Sequence, residues 1–419
     1  MSTTSTAAGG QLARRLGVFD AVIIGLGSMI GAGIFAVLAP AAAAAGSGLL
    51  PGLAAAAVVA YCNARSSARL AARYPASGGT YVYGRERLGA FWGYLAGWGF
   101  VVGKTASCAV MALTVGLYAW PQQAHAVAVA AVVALTAVNY VGVQKSAWLT
   151  RAIVAVVLAV LAGVVVACLS TPPADLGRLS VGGDATVSGV LQAAGLLFFA
   201  FAGFARIVTL GEEVRDPART IPRAVPLALG ITLSVYTIVA VAVLAVLGDG
   251  LADAAAPLAD AVRAAGWHQL APVVRVGATV AALGSLLALI LGVSRTILAM
   301  AHDRHLPRAL AAVHPRFQVP HRAELAVGAV VATVAATVDV RAAIGFSSFA
   351  VLVYYAIANV SAWTLSAAEG RPPRVIPLVG LVGCLVLAFA LPLHSVIAGA
   401  AVLAVGAAAY GFRHQFARR

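Results

Sequence analysis

Gly25-Leu26-Gly27-Ser28-Met29-Ile30-Gly31-Ala32-Gly33-Ile34-Phe35 is an apolar stretch with glycine at positions 25, 27, 31 and 33. A membrane-spanning helix of Val, Ile and Leu has no need of clustered glycine. A helix that unwinds part-way across needs it, because glycine tolerates the backbone angles of the break. Unwinding in hydrocarbon exposes N–H and C=O groups, so it survives only where the backbone lines a cavity or is buried in protein. A second stretch of the same kind, Phe199-Ala200-Phe201-Ala202-Gly203-Phe204, runs on to Glu212-Glu213. Paired interruptions at corresponding places in two halves of a chain are the sequence pointer to a secondary transporter's binding site. The Gly27–Gly31 spacing has a second reading, a GxxxG that only lets helices approach closely.

The composition around these stretches excludes a soluble globule. The chain of 419 residues is 62% apolar and 10% charged, with mean hydropathy +0.95; soluble chains carry roughly 25% charged residues. About twelve apolar stretches approach the ~20 residues a bilayer requires. They fall near 18–45, 48–70, 91–120, 124–142, 149–170, 188–210, 223–248, 271–301, 322–338, 341–367, 376–392 and 394–412. The polar residues 1–16 precede a stretch too long for a cleaved signal peptide and are expected to be a cytoplasmic tail.

A net charge of +14 could suggest nucleic acid, but its distribution points to membrane topology. With the N-terminus in the cytoplasm and the spans alternating, most Lys and Arg fall on the cytoplasmic side; only Arg178, Arg263, Arg275 and Arg341 fall outside. This positive-inside pattern predicts a multi-pass protein of a bacterial-type inner membrane, both termini cytoplasmic, with the lipid bilayer and no nucleic acid as partner. Cys62, Cys108, Cys168 and Cys384 all lie in apolar spans without a CxxC, and read as small buried hydrophobes. His302, His305, His314 and His321 share one loop with Arg and Pro, which makes a poor metal site. Gly25-Leu26-Gly27 has no preceding strand or βαβ unit, so no dinucleotide is implied. No cofactor and no enzyme constellation is expected.

Spans 1–5 and spans 6–10 form two sets of five. Because five is odd, the second set enters from the opposite side, the inverted-repeat arrangement. The expected organisation is residues 1–16 as a cytoplasmic tail, 17–170 as repeat 1, 188–367 as repeat 2, 376–412 as two further helices and 413–419 as a second cytoplasmic tail.

Four motifs carry a family resemblance. Gly17-Val18-Phe19-Asp20 followed by Gly27 to Phe35 resembles the first helix of the amino acid–polyamine–organocation permeases. Pro75-Ala76-Ser77-Gly78-Gly79-Thr80-Tyr81 is similar to the motif after their second helix. Gly211-Glu212-Glu213-Val214-Arg215-Asp216-Pro217 with Ile221-Pro222-Arg223-Ala224 is a third match, and Ser294-Arg295-Thr296 running to Leu306-Pro307 a fourth. The motifs stand in family order across 17–320. The resemblance implies an all-α integral membrane protein of the leucine-transporter fold, with helices 1 and 6 broken. It also implies transport of amino acids or related amines.

The site can be reasoned from the breaks themselves. The second half of an unwound helix begins with N–H groups that lack intrahelical partners and carries about half a positive charge. A substrate carboxylate is therefore expected at Ser28, Met29, Ile30, Gly31, Ala32 and Gly33. Carbonyls left by the second break suit a substrate ammonium, which places Phe201, Ala202, Gly203 and Phe204 opposite, with an aromatic ring walling or gating the pocket. Glu212 and Glu213 read as an inner-gate ion-pair network, and Arg206 as a cation that snorkels or pairs with Glu213. In proton-coupled relatives the fifth helix carries a lysine; the matching position here is Val157. Lys104, near mid-membrane on span 3, is expensive there and is the coupling candidate. The expectation is alternating-access transport of an amino acid, with the proton as coupling ion. Exchange is the alternative, and a non-transporting amino-acid sensor is the alternative of another class.

Overall fold

The computed structural model describes residues 16–75, 78–142, 147–170 and 174–416. Arg14, Arg15, Lys145, the Ala76-Ser77 part of the second motif and the chain ends 1–15 and 417–419 lie outside the described residues.

The described chain is almost wholly helical. The first span is two helices, α1 (Val18–Met29) and α2 (Ala32–Ala45). There follow α3 (Leu49–Arg73), the short α4 (Thr80–Leu88), α5 (Ala90–Ala119), α6 (Ala124–Tyr140) and α7 (Ala147–Leu169). The second half runs α8 (Val187–Phe201), α9 (Ala205–Val208), α10 (Pro217–Leu247), α11 (Pro257–Ala264), α12 (Ala271–His302), α13 (His321–Thr337) and α14 (Val340–Trp363). It ends in α15 (Val375–Ala390) and α16 (Leu393–Phe416). The sole strand-like pairing among the described residues is an isolated parallel bridge between Leu16 and Val214.

Local chemistry sets several helix ends. Thr186 caps α8 by accepting from the Gly189 N–H at 3.1 Å, and Asp339 caps α14 by accepting from Arg341 and Ala342 at 2.8 and 3.0 Å. Pro217 opens α10, where its missing N–H costs nothing.

Nine runs among the described residues are long and apolar enough to cross a membrane, against the expected twelve or so. The run Ala32–Arg73 holds two helices, α2 and α3, on either side of a 3₁₀ turn at Gly46–Gly48, and its 42 residues are twice the ~20 that one crossing needs. α13 and α15 are only 17 and 16 residues long.

α5 is the spine of the molecule, with α12 and α14 packed along it. The most apolar windows of α5 and α14 are each 83% buried within the protein, against 22% for α6 and 17% for α16. The first two are therefore central, and the last two present most of their surface outward. α2 packs on α8 and α1 on α10, which brings the two glycine-broken segments side by side in the core.

Candidate functional site

Both breaks are short. The helix α1 persists to Met29, the Ile30 N–H still reaches the Leu26 carbonyl at 2.7 Å, and α2 restarts at Ala32. Only Ile30 and Gly31 leave the helical path, a tighter interruption than the whole Ser28–Gly33 segment. The Ser28 hydroxyl donates to the Ile24 carbonyl of its own helix at 3.0 Å. The second break is a single 3₁₀ turn, Ala202–Phe204, followed by the four residues of α9.

Glycine is required where the breaks touch. A Cβ on Gly203 would stand 2.3 Å from the Ser28 carbonyl oxygen and 2.8 Å from the Met29 nitrogen. The two interruptions thus meet backbone to backbone. A Cβ on Gly31 would meet the Ser285 hydroxyl of α12 at 1.9 Å.

The carbonyls freed by the breaks have found side-chain donors. Tyr236 of α10 donates to Met29 O at 2.5 Å and reaches Ala200 O at 3.2 Å, bridging the two broken segments. Ser285 donates to Gly27 O at 3.2 Å. Lys104 Nζ and the Tyr355 hydroxyl of α14 each approach Ala202 O at 3.4 Å. An unsatisfied polar group in hydrocarbon costs several kcal/mol, so these donors are what allow the breaks to persist. On the donor side, α2 begins at Ala32, and the first-turn N–H groups of any helix lack partners within it.

The expected residues fall into two zones. Ser28, Met29, Ile30, Gly31, Ala32, Gly33, Phe201, Ala202, Gly203 and Phe204 are brought together with Lys104 in the core. Phe201 and Phe204 are fully buried, Phe201 against Tyr236 at 5.3 Å between ring centroids and Phe204 against Tyr355 at 4.9 Å. Lys104 stands at the middle of α5 and is 7% exposed. Val157 is buried, and Val154 one turn earlier packs where a Cβ on Gly27 would sit.

The second zone lies on the face assigned to the cytoplasm. Arg206 is partly buried, with Glu213 and Arg295 as its charged neighbours. The Glu213 backbone carbonyl accepts the Leu16 N–H at 3.1 Å, and the Arg215 N–H donates back to Leu16 at 2.8 Å. The segment before α1 is thereby strapped to the segment after α9. Beside it Arg151 pairs with Asp20 at 2.5 Å, and Asp303 joins Arg85 at 2.9 Å and the Tyr81 hydroxyl.

On the opposite face a cavity of about 240 Å³ is lined by Phe35, Ala39, Thr114, Tyr118, Pro257 and Arg341 among others. Tyr118 donates to the Phe35 carbonyl at 3.0 Å, and their rings meet edge to face at 5.7 Å. Phe35, four residues beyond Gly31 on α2, is one wall of this cavity.

Sequence reading missed Tyr236, Tyr355, Ser285 and the Asp20–Arg151 pair. A lone Tyr or Ser in an apolar span carries no local mark of its partner. Asp20 lay within a quoted motif, yet nothing in the motif names Arg151.

The family sequence model described as "Amino acid permease" matches residues 16–409. The chain is 78% identical over 410 residues to an uncharacterized transporter of Mycobacterium tuberculosis, covering 98% of this chain and 93% of that one. It is 26% identical over 411 residues to the branched-chain amino acid permease BcaP of Bacillus subtilis, covering 90% and 88%. It is 28% identical over 392 residues to human cationic amino acid transporter 4, covering 87% of this chain and 61% of the human protein.

Proposed function

The chain belongs to the amino acid permease family, a family of multi-pass membrane transporters, and on that premise we propose that it carries an amino acid across the cytoplasmic membrane by proton symport. The observation that carries this reading is the junction of the two breaks. Carbonyls of both broken segments, Gly27 O, Met29 O, Ala200 O and Ala202 O, take donors from Ser285, Tyr236, Tyr355 and Lys104 where the two segments meet, and the N-terminus of α2 lies three residues beyond Met29. A zwitterion complements that pair of polarities, its carboxylate toward Ile30–Gly33 and its ammonium toward Phe201–Phe204.

The proposal includes the expected organisation: repeat 1 over 17–170, repeat 2 over 188–367 and two added helices over 376–412, with both tails cytoplasmic. Access alternates between the cavity beyond Phe35 and a route closed by the Leu16 strap, the Asp20–Arg151 pair and the Arg206–Glu213 region. Lys104 carries the coupling proton. It is buried at the middle of α5 and reaches a carbonyl of the second break, Ala202 O, that a movement of α8 and α9 would carry away.

Uptake of labelled amino acids into proteoliposomes, with pH and sodium gradients imposed separately, tests the proposal. An inward proton gradient should concentrate substrate, and Lys104→Met should abolish that response while leaving the protein inserted. Accumulation driven by sodium alone, or uptake that needs only substrate on the far side, would replace symport with another coupling.

A further inference from the structure

The charge at the core of this site is positive and has no counter-ion. Lys104 is buried at the midpoint of α5, and its hydrogen-bond acceptor is a backbone carbonyl, Ala202 O. The one titratable neighbour acting on it among the described residues is the Cys108 thiol, one turn along α5. All 14 acidic residues fall within the described chain, and none stands in the middle of a membrane-spanning helix. Asp20 is in the first turn of α1 and Glu324 in the first turn of α13, and Asp260 belongs to the short α11. Arg206, four residues after Ala202, adds a second cation to the broken segment. The surrounding side chains, Phe201, Phe204, Tyr236 and Tyr355, offer rings and hydroxyls and no negative charge.

We infer that Lys104 is a charge filter, so that the site takes amino acids with neutral or acidic side chains and rejects those with cationic ones. This deepens the transport reading above and rests on it. A zwitterion adds no net charge beside the ammonium, and an acidic side chain supplies the missing counter-ion. A lysine or arginine side chain brings a second positive charge into a water-poor region where like charges repel strongly. The human relative named as a cationic amino acid transporter would therefore differ from this chain in substrate charge.

The test is isothermal titration of the purified full-length protein in lipid nanodiscs with leucine, glutamate, lysine and arginine. The wild type should bind leucine or glutamate at least about tenfold more tightly than lysine or arginine. Lys104→Glu should invert the order, and Lys104→Met should narrow it. Should either variant fail to fold, the wild-type ranking decides by itself. Lysine or arginine binding within threefold of the best neutral or acidic ligand would overturn the filter while leaving amino acid transport standing. Absence of binding by all four, and by the other common amino acids, would overturn the transport reading and the filter with it.

Discussion

Gly203→Ala is the sharpest probe of the junction between the two breaks. The new Cβ would lie 2.3 Å from Ser28 O, 2.6 Å from Ser28 C and 2.8 Å from Met29 N, where ordinary contact begins near 3.4 Å. The segments must separate by about an ångström, and the obstacle is backbone, which cannot rotate aside. Overpacking of this kind costs about 1–3 kcal/mol of stability; because the proposed site needs the two segments in contact, the same cost falls on the bound state and is roughly a five- to hundredfold loss of affinity at 1.4 kcal/mol per decade. The separation also draws Ala202 O from Lys104 and Met29 O from Tyr236, so Gly203→Val should abolish binding. Gly31→Ala supplies the contrast. Its Cβ meets the Ser285 side chain, Oγ at 1.9 Å and Cβ at 2.9 Å, so Ser285→Gly should restore much of the loss. No such partner exists for Gly203. Titration calorimetry with the best ligand measures affinity, and size-exclusion chromatography confirms a folded carrier. Gly203→Ala binding within twofold of wild type would refute the placement of substrate at this junction.

Four further outcomes are expected. Tyr236→Phe keeps the ring beside Phe201 but leaves Met29 O and Ala200 O without their shared donor, at about 1–3 kcal/mol; thermal denaturation should fall by a few degrees, and an unchanged midpoint would count against the bridge. Arg151→Gln removes the partner of Asp20 and should speed thiol labelling of a Leu16→Cys reporter from the cytoplasmic side. Lys104→Met should eliminate uptake driven by a pH gradient, so continued concentration of substrate would remove Lys104 from coupling. Glu369, in the connection after α14, is pulled down to about 2 by the Ser366 backbone N–H and by Arg87. Its folded value is below its unfolded one, so its stabilisation is present above the unfolded range near 4.3 and is lost as pH falls toward 2. Glu369→Gln should therefore lower thermal stability equally at pH 8 and pH 6, and a loss confined to one of them would refute the assignment.

The sequence announced what depends on backbone and composition and concealed what depends on partners. Glycine at 31 and 203 is legible because each position excludes a Cβ, for reasons that hold across the whole side-chain alphabet. Lys104 is legible because a charge at mid-helix has to be accounted for in hydrocarbon. Helix ends inside an apolar run were less legible: the 3₁₀ turn at Gly46–Gly48 that divides α2 from α3 leaves no mark in hydropathy. Tyr236 was invisible for a different reason. Its function is to donate to carbonyls of two segments brought together by folding, and a tyrosine in an apolar span looks the same whether it packs or bridges.

The distribution of closures explains how such a carrier can turn over. On the face assigned to the cytoplasm the contacts are a two-bond backbone strap at Leu16, the Asp20–Arg151 pair and the Tyr81–Asp303–Arg85 group. The Arg151 side chain is 48% exposed, and Arg85 and Asp303 are 37% and 39% exposed. Exposed pairs of this kind contribute about 0–1 kcal/mol each. On the other face the contacts near the cavity are Tyr118 on Phe35 and Arg341 on the Ala252 carbonyl. Among the described residues the ion pairs Asp20–Arg151 and Asp303–Arg85 are part-exposed, so each costs little to break. A ligand that favours one state by only a few kcal/mol can then move most of the population. On the proposed reading the broken helices generate that difference. Carbonyls of both segments take side-chain donors from Tyr236, Ser285, Tyr355 and Lys104, and a substrate bound as proposed would replace one of those donors and loosen one half-helix while its neighbour stays in place.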